Sequence, residues 1–147
     1  MPYKIPHSVL VLIHTPDLQV LLLERADHPG FWQSVTGSLD HLDEAPSAAA
    51  QREVFEETGI DVTAHSLRDW HETNQYEIFA HWRHRYAPGV THNTEHVFSV
   101  CVPMGTPIRL APREHLQCIW LPWAEAAERC FSWSNAQAIK KMGNSSW

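Results

Sequence analysis

Between Gly37 and Ile60 the chain reads GSLDHLDEAPSAAAQREVFEETGI. Arg52, Glu53, Glu56 and Glu57 place four charges within six residues, directly after an alanine run. Pro46 suits the first turn of a helix, where its missing N–H costs nothing. Ala48, Ala49 and Ala50 are strong helix formers, and Gly59 is placed to end the helix in a left-handed cap. The spacing therefore predicts a helix over Pro46–Thr58. On it Glu53 and Glu57 lie one turn apart with Glu56 beside them, so the three carboxylates share a face and repel one another. A divalent cation would remove that repulsion. Hard oxygen ligands suit Mg²⁺, which is held by a few carboxylates together with substrate phosphates. The plain alternative is a solvated acidic helix face.

The elements that must position this helix are strands. Ser8–Ile13 is a β-branched and leucine-rich run that reads as a buried strand. After a turn at Thr15-Pro16-Asp17, Gln19–Glu24 reads as its hairpin partner. Asp27–Gly30 turns the chain again, and Phe31–Thr36 leads to Gly37. Beyond the helix, Asp61–Leu67 is expected as a short strand or loop. Arg68–Thr73 should be strand, with Tyr76–Phe79 running on towards Tyr86. Glu95–Val102 and Glu114–Leu121 read as further strands, the earlier ones forming an antiparallel hairpin or meander. Pro122 should open a helix, and Ala136–Met142 should form the last one, capped by Ser134 or Asn135. No repeat, low-complexity tract or linker interrupts residues 1–147, which are expected to form a single mixed α/β domain.

Composition narrows the function. The 147 residues carry a net charge of −6 with histidines neutral, which disfavours sequence-independent nucleic-acid binding. It leaves room for a small polyanion neutralised by metal ions and a few local cations. The longest apolar run, Val9–Ile13, is too short to span a bilayer, so no membrane partner is expected. No basic region followed by an apolar core opens the sequence, and cytoplasmic residence is the expectation. Cys101, Cys118 and Cys130 form no spaced pair and read as reduced thiols with a packing role. His81/His84 and His92/His96 have spacings that zinc sites use, but no second pair supports them.

Gly37, Glu44, Arg52-Glu53-Val54, Glu56-Glu57 and Gly59-Ile60 resemble the Nudix box, Gly-x5-Glu-x7-Arg-Glu-U-x-Glu-Glu-x-Gly-U, with U a bulky apolar residue. One departure shows. Six residues rather than five separate Gly37 from Glu44, and Asp43 would restore that gap only by lengthening the next. Glu44 with a one-residue loop insertion is the preferred register, because loops absorb insertions more readily than helices. Further segments resemble the bacterial dihydroneopterin triphosphate pyrophosphatases, also called dATP pyrophosphohydrolases. These are Phe31–Gly37, Tyr76–Phe79, His84–Thr91, Arg113–Leu116 and Ser132–Asn135.

The resemblance implies an α/β/α sandwich with a mixed sheet between helices. It implies Mg²⁺, with Mn²⁺ as an alternative, held by Glu53 and Glu57, with Glu56 in or near the cluster. Arg52 would brace these carboxylates, and Glu44 would brace them or act as an outer ligand. Glu114 would join from a distant loop as a metal ligand or as general base; Glu44, Glu56 and Asp43 are the fallback bases. Lys4 and Arg25 are candidates for the triphosphate, the latter through bidentate contacts. Thr36 would lie near the scissile phosphates. Tyr76, Glu77, Ile78 and Phe79 would face a flat ring, and Ser132 and Asn135 would read its edges. The implied activity is release of pyrophosphate from 7,8-dihydroneopterin triphosphate. Hydrolysis of dATP for pool control is the alternative, and a non-catalytic nucleotide-binding domain comes behind it. The expected partner is a small triphosphate, and the expected state a monomer or weak homodimer.

Overall fold

A computed structural model describes residues 3–145; the two residues at each end of the expected domain lie outside them. Strands β1 (His7–His14), β2 (Gln19–Arg25), β3 (Trp32–Gln33), β4 (Val35–Ser38), β5 (Leu67–Glu77), β6 (His92–Cys101) and β7 (His115–Pro122) form one seven-stranded mixed sheet. Helices α1 (Pro46–Thr58), α2 (Trp123–Arg129) and α3 (Trp133–Gly143) cover it. β1 explains why both faces are covered. Val9, Val11 and Ile13 pack with Ala49, Ala50 and Val54 of α1, while Leu10 and Leu12 pack with Ala126, Ala127 and Ile139 of α2 and α3. Successive side chains of a strand point to opposite faces, so a continuous apolar run needs a helical layer on each side. The expected α/β/α architecture is the observed one.

Three pairings fix the site. β1 runs parallel to β6 from His7↔Thr94 to His14↔Cys101. β4 pairs antiparallel with the start of β1, which sets Gly37 opposite Val9. β2 pairs with β7, which brings His115 opposite Arg25. Helix α1 has the predicted bounds. Pro46 stands in its first turn, and Gly59, at φ 77°, donates its N–H to the Phe55 carbonyl.

Some expectations need correction. β1 and β2 are hairpin partners only at their tip, through His14↔Val20. Below it they part, because β4 takes that edge of β1 and β3 takes the facing edge of β2. Val62–Ala64 is a short 3-10 helix rather than strand, started by Asp61, whose side chain accepts from the Thr63 N–H. A second 3-10 helix, Ala80–Arg85, interrupts the run towards Tyr86. α3 begins at Trp133 with Ser132 as its N-cap, so Ser134 and Asn135 are buried inside the helix and cap nothing. Their burial against the sheet overrides the capping preference of their side chains. Cys101 is exposed, whereas Cys118 and Cys130 are half-buried against the two cores. His81, His84 and His92 are exposed, and neither histidine pair belongs to a metal-competent group among the described residues.

Candidate active site

The loop from β4 to α1 folds back so that the helix lies over the glycine that opens it. A Cβ on Gly37 would sit 2.0 Å from Glu53 Oε2, so a side chain there would collide with the carboxylate. Only a glycine lets strand and helix approach this closely. Arg52 ties the loop down. Its Nε donates to Glu44 Oε2 at 3.2 Å, one terminal nitrogen to Glu44 Oε1 at 3.1 Å, and the other to Glu53 Oε1 at 2.6 Å. It also reaches the Ser38 carbonyl and Asp40. Glu44 is thus the acidic residue that meets Arg52, while Asp43 is exposed and pairs with His41. Glu56 stands apart. It is half-exposed, 3.7 Å from Arg52, and outside the tightest acidic group.

That group is Glu57, Glu114 and His115, whose ligand-capable atoms all lie within 4.8 Å of one another. Glu57 is buried, and burial raises its pKa well above the ordinary glutamate value. A hydrogen bond with Glu53 and the charges of Glu53 and Glu114 push in the same direction. Burial also raises Glu53. Burial and the approach of two like charges both disfavour the ionised form of Glu57. Glu57 Oε1 is nevertheless a buried acceptor with no hydrogen bond. His115 Nε2 lies 3.4 Å from it without bonding, and burial lowers the His115 pKa to about 4, so the imidazole is neutral. A buried orphan oxygen beside Glu53 and Glu114 suits a hard divalent cation, the donor set that Mg²⁺ and Mn²⁺ take.

Opposite the carboxylates the cleft is basic. Lys4, Arg25, Arg85 and Arg113 line the same charged chamber of about 420 Å³. Burial, then Arg85 and Arg25, lower the Lys4 pKa. Arg25 is more engaged than the sequence implies. Its fork grips Asp27 at 2.7 and 2.8 Å, its third nitrogen donates to Gln33, and its plane lies 4.4 Å from the Trp82 ring. Asp27 also accepts from Arg85 and is held down to about pKa 2, chiefly by the Arg25 hydrogen bond. Thr36 lines the chamber and accepts from Gln33 Nε2.

Lys4, Arg25, Thr36 and Gly37 also line a second chamber of about 370 Å³, so the two are one continuous cleft. The second is aromatic. Phe31 and Phe131 stack at 4.5 Å, and Trp82 and Phe79 meet them edge-on or tilted. Tyr76, Glu77, Ile78, Phe79, Ser132 and Asn135 all line it. Their parts differ. Ile78 is buried, whereas Phe79 is exposed at the rim. Glu77 pairs outward with Arg83, and Ser132 meets Ser134. Asn135 exchanges two hydrogen bonds with Ser34, at 2.8 and 3.0 Å, and so fastens α3 to the β3–β4 turn.

Several lining residues carry no role in the sequence reading: Arg85, Trp82, Asn93, Glu95, His115 and Phe131. Glu95 stands at the start of the Glu95–Val102 strand reading, ahead of the apolar residues Val97, Phe98 and Val100. His115 sits within the quoted Arg113–Leu116 segment. Arg85 likewise sits within the quoted His84–Thr91 segment, and nothing local marks Phe131.

Comparison with known proteins agrees with this geometry. The NUDIX domain family model matches residues 4–142. The dihydroneopterin triphosphate diphosphatase of Escherichia coli K12 is 50% identical over 143 residues, covering 95% of this chain and 93% of that protein. The enzyme of the same name from Haemophilus influenzae is 44% identical over 144 residues, covering 96% and 89%. The structure of the E. coli dihydroneopterin triphosphate pyrophosphohydrolase superposes with a TM-score of 0.90 at 49% identity, over 96% of this chain and 97% of that one. A Caenorhabditis elegans Ap4A hydrolase shares the fold, with a TM-score of 0.75 at 21% identity over 92% and 93%. With its box folded as strand, loop and helix around Arg52, the chain belongs to the Nudix hydrolase family.

Proposed function

We propose that this protein hydrolyses 7,8-dihydroneopterin triphosphate to the monophosphate and pyrophosphate, acting as a single domain with a bound divalent metal. One observation carries the reading: a continuous cleft with a carboxylate-and-cation chamber at one end and an aromatic chamber at the other. A triphosphate joined to a flat ring has the same two-part chemistry. The similarity to enzymes named for this substrate points the same way.

Glu53 and Glu57 would hold Mg²⁺, or Mn²⁺ in its place. The ion supplies Lewis acidity, neutralising phosphate oxygens and making water a better nucleophile. The protein's own groups do the rest. Lys4, Arg25 and Arg85 draw the phosphates against one wall, and their charges offset those of the substrate. Arg52 holds Glu53 and Glu44 in place, so the carboxylates need not reorganise during reaction. A water adds to the α-phosphorus, the bond from that phosphorus to the α–β bridging oxygen breaks, and pyrophosphate leaves with the bridging oxygen. Glu114, on the open side of the cluster, takes the water's proton. Phe131, Trp82 and Phe79 clamp the ring and keep that end dry.

A panel of triphosphates tests the reading. With Mg²⁺, kcat/KM for dihydroneopterin triphosphate is expected to exceed that for each common deoxynucleoside triphosphate, with pyrophosphate as product. A clear preference for dATP would replace the pterin reading with nucleotide pool control, and turnover of neither would overturn both.

A further inference from the structure

One wall of the aromatic chamber is polar. β6 alternates, and its buried side carries Asn93, Glu95, Val97 and Ser99. Val97 packs under α3, but Asn93 and Glu95 lie further along the same face, where they line the cavity. Their relative exposures are 1% and 3%, so neither is solvated. Asn93 uses both amide N–H groups, donating to Ser8 Oγ at 2.7 Å and to the Tyr76 hydroxyl at 3.0 Å. Its Oδ1 is buried and accepts nothing. Glu95 accepts from Ser134 and, at a long 3.4 Å, from Asn74. A carboxylate has sites for about four donors, so this one keeps spare acceptor capacity.

Buried acceptors without donors are costly and call for an explanation. The plain one is structural, with Glu95 joining β5, β6 and α3. It does not account for the orphan oxygen of Asn93, nor for a half-satisfied carboxyl beside it in a cavity of ring-binding size. A ring with adjacent N–H donors on one edge accounts for both. The 2-amino-3H-4-oxo edge of a pterin presents two such donors side by side, which a carboxylate accepts in parallel. Adenine offers an amino group next to a ring-nitrogen lone pair, so one of its two contacts with a carboxylate would be repulsive.

We propose that Glu95, with Asn93 Oδ1 beside it, reads the donor edge of the pterin and makes the cleft prefer that ring over adenine. This rests on dihydroneopterin triphosphate being the substrate. Burial lifts the Glu95 carboxyl above the ordinary glutamate range, which the Ser134 and Asn74 bonds only partly offset. A donor pair from the ring would complete what they begin. Polar groups built to meet a substrate's donors reject rings that lack them far more sharply than apolar walls do.

Glu95→Gln keeps the shape but puts an amide N–H where an acceptor is needed. Its kcat/KM for dihydroneopterin triphosphate is expected to fall by about 10²-fold, mainly through KM, while that for dATP holds or rises, because the amide donates to the ring nitrogen that the carboxylate repels. The dATP rate and thermal melting report whether the variant folds. A second measurement needs no variant: the parent enzyme should discriminate, by a factor of similar size, against a substrate analogue lacking the 2-amino group. If the parent turns over dihydroneopterin triphosphate but both the variant's preference and the analogue's rate stay within about threefold of the parent values, Glu95 has no reading role and the functional reading stands. If the parent does not turn over dihydroneopterin triphosphate at all, the functional reading itself falls and takes this inference with it.

Discussion

The two chambers of the cleft are built differently. The charged one draws Gly37, Glu53 and Glu57 from a single stretch of 24 residues, Gly37–Ile60, and adds Glu114 and His115 across the β2–β7 pairing. The aromatic one draws on Tyr76–Phe79, Trp82, Asn93, Glu95, Phe131–Trp133 and Asn135, which come together only through the sheet order and the docking of α3. The first is a local motif held by one arginine, the second a tertiary assembly. This predicts a division of labour. Changes in the charged chamber should lower kcat for every triphosphate, and changes in the aromatic chamber should alter KM and the choice of ring.

The largest expected effects test the first half of that division. Glu57→Gln and Glu114→Gln should each lower kcat by about 10²–10⁴-fold. The loss should be alike for pterin and purine substrates, with KM changing less. Raising Mg²⁺ separates the roles of Glu114: partial rescue marks a ligand, and no rescue marks a base. A kcat within about threefold of the parent at all Mg²⁺ concentrations would remove that residue from the chemistry.

Gly37→Ala should come next. Its Cβ would meet Glu53 2.0 Å away, and the carboxylate must swing aside. Displacement of a catalytic group by about 1 Å can cost about 10²-fold. The loss should appear in kcat and in Mg²⁺ affinity measured by titration, with an unchanged circular dichroism spectrum. Normal Mg²⁺ affinity would show that Glu53 is not held for the metal.

Arg25 stands where the chambers join, so it should blur the comparison. Arg25→Ala removes the ring stack on Trp82 and, on the proposed function, a phosphate contact. KM should rise by roughly tenfold for all triphosphates, as expected if a charged hydrogen bond of about 1.5–3 kcal/mol is lost. An unchanged KM would leave Arg25 as the partner of Asp27 alone. Phe131→Leu should be milder and selective. Losing an aromatic contact of about 0.5–1.5 kcal/mol should raise KM a few-fold and leave kcat intact. An equal fall in kcat would place the ring nearer the chemistry than the geometry does.

The smallest effect is on stability. The folded-state pKa of Glu57 is raised above 4.5, so the native protein holds a proton that the unfolded chain has released. The penalty is absent well below pH 4.5, grows as pH rises, and is complete above the raised pKa. Glu57→Gln should therefore make the metal-free melting temperature fall less with rising pH than it does in the parent. Mg²⁺ should reduce the parent's loss and leave the variant's curve little changed. Parallel parent and variant curves would deny the shift.

Much of the charged chamber was legible because its determinants are near neighbours. Helix periodicity alone puts Glu53 and Glu57 on one face, and Pro46 and Gly59 bound that helix where the sequence predicts. The apolar run of β1 announces a strand covered on both sides, and hence the layered fold. Other features had no local cause. β1 and β2 read as a plain hairpin, because hydrophobic pattern does not say which edge a third strand will take; β3 and β4 decided that. Ser134 and Asn135 look like caps by residue type, but packing against the sheet drew them into α3, where Asn135 fastens Ser34. The sequence by itself determined the helix with its acidic face, the arginine beside it and the layer architecture, since these depend on spacings within a few residues. Only the tertiary structure decided that His115 stands against Glu57, that Arg25 is already gripped by Asp27, and that Glu95 faces a cavity rather than a core. Each depends on which distant strands pair and in what register, which is a property of the whole sheet.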